Sequence, residues 1–293
     1  MKKILLIVAI ISLLSVKQVS AALYSDLQLG ARSSAMGSAY VSVAREADAV
    51  YWNPAALAMS KKSNVSFMHS DVFGIGIKQS YLSYAQPLDF VGIGASWLRH
   101  SADLAEGFGA TSKINSWVDD ALMLSIGMKA KSDIYAGLSM KRYKVKTKNN
   151  VGTSGLGFDF GLLFTDLYKK NDNVKNIDFG VQIRNIATDL SNENVDPSYK
   201  LGMSCRILDD FIFAVGMDID NDNPQQTQKT RLNLGLEYGY NNTLFVRLGS
   251  NDGDFTTGFG LKFQEKLSLD YAFEKSLGDL NKDNHRFSLS FWF

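Results

Sequence analysis

Cysteine is nearly absent from this chain of 293 residues: Cys205 stands alone, so no internal disulfide can form. An exported domain of this size must then be held by its core or by closure of a sheet. Histidine is almost as scarce, with His69, His100 and His285 far apart in the sequence. One thiol and three scattered imidazoles supply no closely spaced ligand set, so no metal site is expected. No serine motif stands beside a histidine, so neither catalysis nor a cofactor is expected. An excess of one charge is missing too. The 31 basic residues face 30 acidic ones, which argues against a nucleic-acid binder with its basic face. Beyond the N-terminus, no stretch reaches the roughly 20 apolar residues of a membrane helix. Yet 45% of the residues are hydrophobic and 12% aromatic, so the apolar content must be laid out with another period.

What is present begins with a leader. Met1, Lys2 and Lys3 precede an apolar run from Ile4 to Leu14, and Val19, Ser20 and Ala21 place small residues where a signal peptidase cuts. Residues 1–21 therefore read as a secretory signal, too short to anchor in a bilayer, with cleavage expected after Ala21 or Ala22. The leader carries Lys2, Lys3 and Lys17 and no acid, so its removal leaves a nearly neutral chain.

From about residue 64 onward, apolar side chains recur at every second position, the period of a strand. Leu267, Leu269, Tyr271 and Phe273 alternate with Ser268, Asp270, Ala272 and Glu274; Leu232, Leu234, Leu236 and Tyr238 alternate with Asn233, Gly235 and Glu237. The pattern predicts strands over 64–70, 77–86, 90–100, 118–130, 133–146, 153–166, 175–187, 198–208, 210–220, 230–240, 243–251, 255–264, 267–275 and 284–293. Strand five changes phase between Met140 and Tyr143, which predicts a bulge there.

The connections alternate in length, with two exceptions, 166–174 long on the short side and 251–254 short on the long side. Short ones at 87–89, 131–133, 208–210, 241–242 and 264–266 are separated by longer polar stretches at 101–117, 188–197, 221–229 and 276–283. Short turns on one side and long loops on the other suit a transmembrane antiparallel β-barrel of about fourteen strands in the outer membrane. A soluble β-sandwich would alternate as well. The final strand, however, ends in Phe287, Leu289, Phe291 and Phe293, and a terminal aromatic on an alternating strand resembles the signal read by barrel-assembly machinery. Outer-membrane lipid and that machinery are the expected partners. On this reading the barrel spans 63–293.

Residues 22–62 do not alternate. They are rich in Gly, Ala and Ser, with a short helix expected over 44–50 and another starting at Pro54 with Asn53 as its cap. Such a composition suits a compact segment packed inside a narrow lumen. Two stretches here, Leu29-Gly-Ala-Arg-Ser-Ser-Ala-Met-Gly-Ser-Ala-Tyr and Ala47-Asp-Ala-Val-Tyr-Trp-Asn-Pro-Ala-Ala-Leu-Ala, resemble the N-terminal signature of the PorV/PorQ family and its FadL-like relatives. The ending Asn284-His-Arg-Phe-Ser-Leu-Ser-Phe is similar to that family's as well. The resemblance implies fourteen strands and an N-terminal hatch, with Asn53, Pro54 and Ala55 matching the family's Asn-Pro-Ala element. It implies one of two functions: uptake of hydrophobic, fatty-acid-like molecules, or an accessory role in type IX protein secretion with secreted protein as cargo. A surface barrel without transport is the third reading.

Other candidates are weighed on their residues. Arg184, Arg206, Arg247, Lys262, Asp270, Glu274 and Arg286 fall on the inward phase; they suit an anionic headgroup or, more simply, pairing among themselves and with the hatch. Cys205 shares its phase with Leu201, Met203 and Ile207 and is expected to face lipid. The acidic stretches 218–223 and 279–283 lack the glycine and closing glutamate of a calcium loop and read as solvated loops.

Overall fold

The computed structural model describes residues 28–72, 77–106, 113–147, 150–168, 174–190, 193–220, 229–275 and 283–293. The leader, residues 22–27 and the stretches 221–228 and 276–282 lie outside them.

The strands are β1 (Asn64–Val72), β2 (Ile77–Leu88), β3 (Val91–Glu106), β4 (Lys113–Lys131), β5 (Ile134–Thr147), β6 (Asn150–Phe164), β7 (Val174–Leu190), β8 (Glu193–Val195), β9 (Ser198–Ile207), β10 (Phe211–Asp220), β11 (Lys229–Tyr240), β12 (Leu244–Asn251), β13 (Asp254–Phe263), β14 (Leu267–Lys275) and β15 (Asp283–Trp292). Every described pairing is antiparallel. The order runs from β6 back to β1, on to β15 and down to β7, and β6 also pairs with β7, so the sheet closes on itself. The three-residue β8 and then β9 run in succession along the same edge of β7, interrupted at Asp196 and Pro197. The ring therefore has fourteen positions, as the alternation predicted.

Which face is greasy decides between barrel and sandwich. On β11, Leu232, Leu234 and Leu236 are 64%, 48% and 38% exposed, while Asn233 and Glu237 between them are buried. Phe213, Leu248, Phe259 and Leu269 are likewise exposed on their strands. Apolar outside and polar inside is the reverse of a soluble protein. It is the arrangement of a closed barrel whose outer face meets hydrocarbon, and closure satisfies every ladder that lipid would otherwise strand.

Several connections are tight. Asn241 and Asn242 both have positive φ (49° and 52°), as do Leu208 and Asp209 (51° and 62°), the backbone of a two-residue type I′ hairpin turn. Asparagine tolerates that region best, which explains the first pair; at Leu208 the strand twist imposes it on a less suited residue.

Three expectations are corrected. The strands flanking 101–117 extend to Glu106 and from Lys113, and those flanking 188–197 extend to Leu190 and from Glu193, because backbone pairing continues through polar side chains above the apolar belt. Strand β5 has no phase change between Met140 and Tyr143: Ser139, Lys141 and Tyr143 are all buried and inward, Met140 and Arg142 outward. Tyr143 misled the reading because an aromatic was assumed to face lipid. The irregularities lie elsewhere: β5 and β6 slip between Val145 and Thr147, and β7 carries extra residues against β6 between Leu156 and Phe160. Asn185 and Ala187, with φ of 59° and 50°, sit in those bulges.

Inside the ring lies the segment that precedes β1. It contains α1 (Ala31–Ala35), a 3-10 turn (Glu46–Asp48), α2 (Ala49–Trp52) and a 3-10 helix (Pro54–Met59). The second helical stretch begins with Asn53 as its cap, as expected, while α1 was not anticipated from so many Gly, Ala and Ser residues.

Candidate functional site in the barrel lumen

Glycines on the inner wall let the segment approach backbone to backbone. Gly92, Gly127, Gly137 and Gly161 lie in one register row across β3 to β6. A Cβ at Gly127 would stand 2.4 Å from the Pro54 carbonyl oxygen, at Gly137 2.4 Å from the Ala55 nitrogen, and at Gly161 2.3 Å from Asn53 Oδ1. On the opposite wall, Gly180 meets the Val41 carbonyl and Gly235 the Met36 carbonyl in the same way. No other residue fits such contacts.

Asn53 is fully buried and uses all of its amide that the structure accounts for. Its Oδ1 accepts from Ala55 N (3.2 Å), and its Nδ2 donates to the carbonyls of Val41 (3.1 Å) within the segment and Leu162 (3.0 Å) on β6. One side chain thus caps the 3-10 helix, folds the segment back on itself and ties it to the wall.

Charged pairs add further ties. Arg32 donates Nε and Nη2 to Glu237 (2.8 and 2.7 Å), and Arg247 donates to the same carboxylate (2.6 Å) and to Asp270 (2.7 Å). Arg247 and Asp270 are separated by β13, and the bridge passes over Gly260, where a Cβ would lie 2.4 Å from Asp270 Oδ1. Arg45 pairs with Asp178 (2.6 Å), and the indole of Trp292 donates to Glu46 (2.7 Å). Gln28 and Arg286 both donate to Glu274 (2.7 and 2.9 Å). Arg184 donates to the Tyr51 hydroxyl (3.0 Å) and lies over its ring. Burial lifts the Asp48 carboxyl to about 6; Arg32 opposes that rise while Asp270 and Glu46 add to it.

The lumen also carries an apolar strip. Met68, Tyr81, Leu98, Ala121 and Tyr143 form one inward register row across β1 to β5. Met123, two residues on from Ala121, extends it, and all six are buried. From the segment, Tyr51 meets Tyr81 edge-on at 6.4 Å, and Tyr51 meets Trp52 edge-on at 5.4 Å. At the far end of the strip, the Tyr143 hydroxyl donates to Asn185 in the β7 bulge (3.0 Å), which also accepts from Lys141 (2.7 Å). The opposite wall is polar: Lys200 pairs with Asp218 (2.6 Å), and Asn233 donates to the same carboxylate (3.1 Å). Toward the tight turns lies a cavity of about 520 Å³, lined by residues such as Arg45, Asp133, Arg206 and Lys262.

Of the seven inward charges expected from phase, Arg184, Arg247, Asp270, Glu274 and Arg286 are buried in the lumen, and all but Arg184 belong to the ion pairs above. Arg206 donates to the Asp209 carbonyl, and Lys262 lies over the Trp292 ring at 5.0 Å; both line the cavity. Phe291 and Phe293 are exposed on the outer face. Cys205 is half-buried beside exposed Met203. Asp218 and Asp220, which the alternation placed on the strand over 210–220 although the stretch 218–223 also read as a solvated loop, are buried on β10 and paired with Lys200 and Arg231. His69, His100 and His285 bond to Ser80, Gln79 and Tyr271 respectively. The sequence reading missed Lys141, Asp159, Lys200 and Asn185. Lys200 and Asp218 are direct register partners, so a correct strand pairing would have found that pair.

No family model matches this sequence, and no curated protein does. Solved structures are similar over nearly the whole chain. The toluene transporter TodX of P. putida superposes with a TM-score of 0.66 at 15% identity, covering 92% of this chain and 99% of that one. The fold is that of the FadL-type barrels. The Ralstonia pickettii toluene transporter TbuX (TM-score 0.64, 11% identity, 90% and 98% covered) and a Pseudomonas aeruginosa FadL homologue (0.54, 12%, 93% and 99%) agree with it.

Proposed function

We propose that this FadL-type barrel is an uptake channel for small hydrophobic molecules, with residues 28–60 acting as its hatch. The observation that carries the reading is the strip Met68, Tyr81, Leu98, Ala121 and Tyr143, a continuous apolar inward row facing a wall that carries the Lys200 and Asp218 pair. A water channel has no use for such a row, whereas an apolar solute gains roughly 25 cal/mol per Å² of surface it hides there. Two of the proteins with similar structures, TodX and TbuX, are toluene transporters, which supports the same class of solute. The strip ends on β5 at Tyr143, whose hydroxyl reaches Asn185 in the bulged seam between β6 and β7, which supports departure through the wall as one route and displacement of the hatch as the other.

Extraction of the purified barrel followed by mass spectrometry tests this reading. Wild type is expected to carry apolar molecules of roughly toluene to fatty-acid size, and Leu98→Asp to carry far less. Equal amounts in both, or none in wild type after exposure to such compounds, would refute it.

A second reading, an accessory of type IX protein secretion, is supported by the PorV/PorQ-like signature from Leu29 to Ala58. Recovery of secreted protein bearing the targeting domain of that system, on pull-down of the barrel, is its expected result.

A further inference from the structure

The outer wall carries a basic patch that neither the lumen nor the transport reading uses. Register stacks the outward side chains of β1 to β6 in rows about 7 Å apart along the strands. One row, Phe67, Leu82, Trp97, Leu122, Arg142 and Leu156, is the upper edge of the apolar belt. The next toward the long connections holds Arg99, Asp120 and Lys144, and the one beyond it Asp71, Lys78 and Lys146. Asp120 is already engaged, accepting from Arg99 (2.8 Å) and from the Trp97 indole (3.0 Å). Lys78, Arg142, Lys144 and Lys146 are exposed and have no ion-pair partner among the described residues. Around β15, β14 and β13 the same two rows read Phe287, Tyr271, Phe259 and His285, Phe273, Thr257, without a lysine or arginine.

We infer that this patch on β2 to β5 binds the headgroup of a lipid carrying more than one phosphate, in the leaflet on the side of the long connections. Depth supplies the first argument. Arg142 stands in the last apolar row and the lysines one and two rows above it, so these cations meet headgroups rather than hydrocarbon or bulk water, and their long stems let the charges rise to that level. Charge supplies the second. Three unpaired cations in succession on β5, with Lys78 on β2 across β3 and β4, exceed what a single phosphate neutralises, and a guanidinium and ammonium groups are the donors that phosphate oxygens take. Confinement supplies the third, because a general attraction to an anionic surface would need no clustering on one third of the ring.

Nanodiscs of phosphatidylcholine containing 5 mol% diphosphorylated lipid A, loaded with the mature barrel, test the inference by native mass spectrometry after detergent release. Wild type is expected to retain the lipid. Arg142→Gln/Lys144→Gln/Lys146→Gln is expected to retain at least tenfold less, and Lys275→Gln on β14 to match wild type. Equal retention by the triple variant, or an equal loss in Lys275→Gln, overturns the site. Should the triple variant lose its heat-modifiable gel migration, Lys78→Gln/Lys144→Gln carries the same comparison, with a reduced but still several-fold loss expected. Monophosphorylated lipid A in place of the diphosphorylated form is expected to be retained less by wild type; equal retention would contradict the requirement for more than one phosphate.

Discussion

Arg32, inside the barrel, and Glu237, on its wall, form a two-pronged ion pair although 205 residues separate them. Glu237 also holds Arg247, so a single carboxylate joins the segment to a bridge that reaches Asp270 three strands away. Replacing Glu237 by Gln leaves Arg32 without its carboxylate and Arg247 with Asp270 alone. Removing one partner of a buried pair costs about 3–5 kcal/mol, and here the loss falls on the docking of the segment rather than on the ring. Glu237→Gln is expected to raise ion conductance in planar bilayers while leaving heat-modifiable migration intact. Unchanged conductance would mean the segment is held without this tie.

Gly137 offers a steric version of the same experiment. A methyl group there would fall 2.4 Å from the Ala55 nitrogen, and backbone cannot yield as a side-chain tip can. Gly137→Ala is expected to expose residues 28–60 to protease in folded barrels. Gly216→Ala, where the nearest atom is 3.3 Å away, is expected to leave them protected.

Acidity acts on Asp48. Its folded value of about 6 lies above the ordinary carboxylate value of 3.8, so the contribution of its protonated form is fully present below about pH 4. That contribution is lost as pH rises through 6. Around it stand Arg32, Tyr40, Glu46 and Asp270. Hydrogen exchange of residues 28–60 is therefore expected to be slower at pH 5 than at pH 7.5 in wild type, with the difference reduced in Asp48→Asn. The same difference in both proteins would assign the effect to another group.

The seam between β6 and β7 is testable by closing it. Phe158 and Ile186 are outward register partners beside the bulges. In a Cys205→Ser background, a disulfide between Phe158→Cys and Ile186→Cys is expected to slow uptake of an apolar probe, with recovery on reduction, if solutes leave through the wall. No change would leave displacement of the segment as the route.

The ring was legible because lipid imposes a local rule: every second residue on each strand must be apolar, and that rule can be read without knowing any partner. Inward phases were legible for the same reason, which is why Arg247, Asp270, Glu274 and Arg286 were found. Partners were not. The Arg32 and Glu237 pair, the Arg45 and Asp178 pair and the contact of Asn53 with Leu162 depend on where the segment comes to rest, and no local period encodes that. Tyr143 failed for a related reason. It was read by its own polarity, whereas the phase of its strand decided its direction. The apolar strip escaped notice because its members are single inward residues on five strands, and only the register aligns them.

Uptake itself is the measurement that reaches the central claim. Proteoliposomes holding wild type, Leu98→Asp or Tyr81→Asp would be given a small fluorescent hydrocarbon trapped by an internal acceptor, with vesicles lacking protein as the baseline. The account predicts wild-type entry well above baseline and both variants reduced at least several-fold, while Lys262→Gln in the polar cavity stays at the wild-type rate. Entry by wild type no faster than through bare lipid, or unimpaired entry with a carboxylate in the strip, would contradict it.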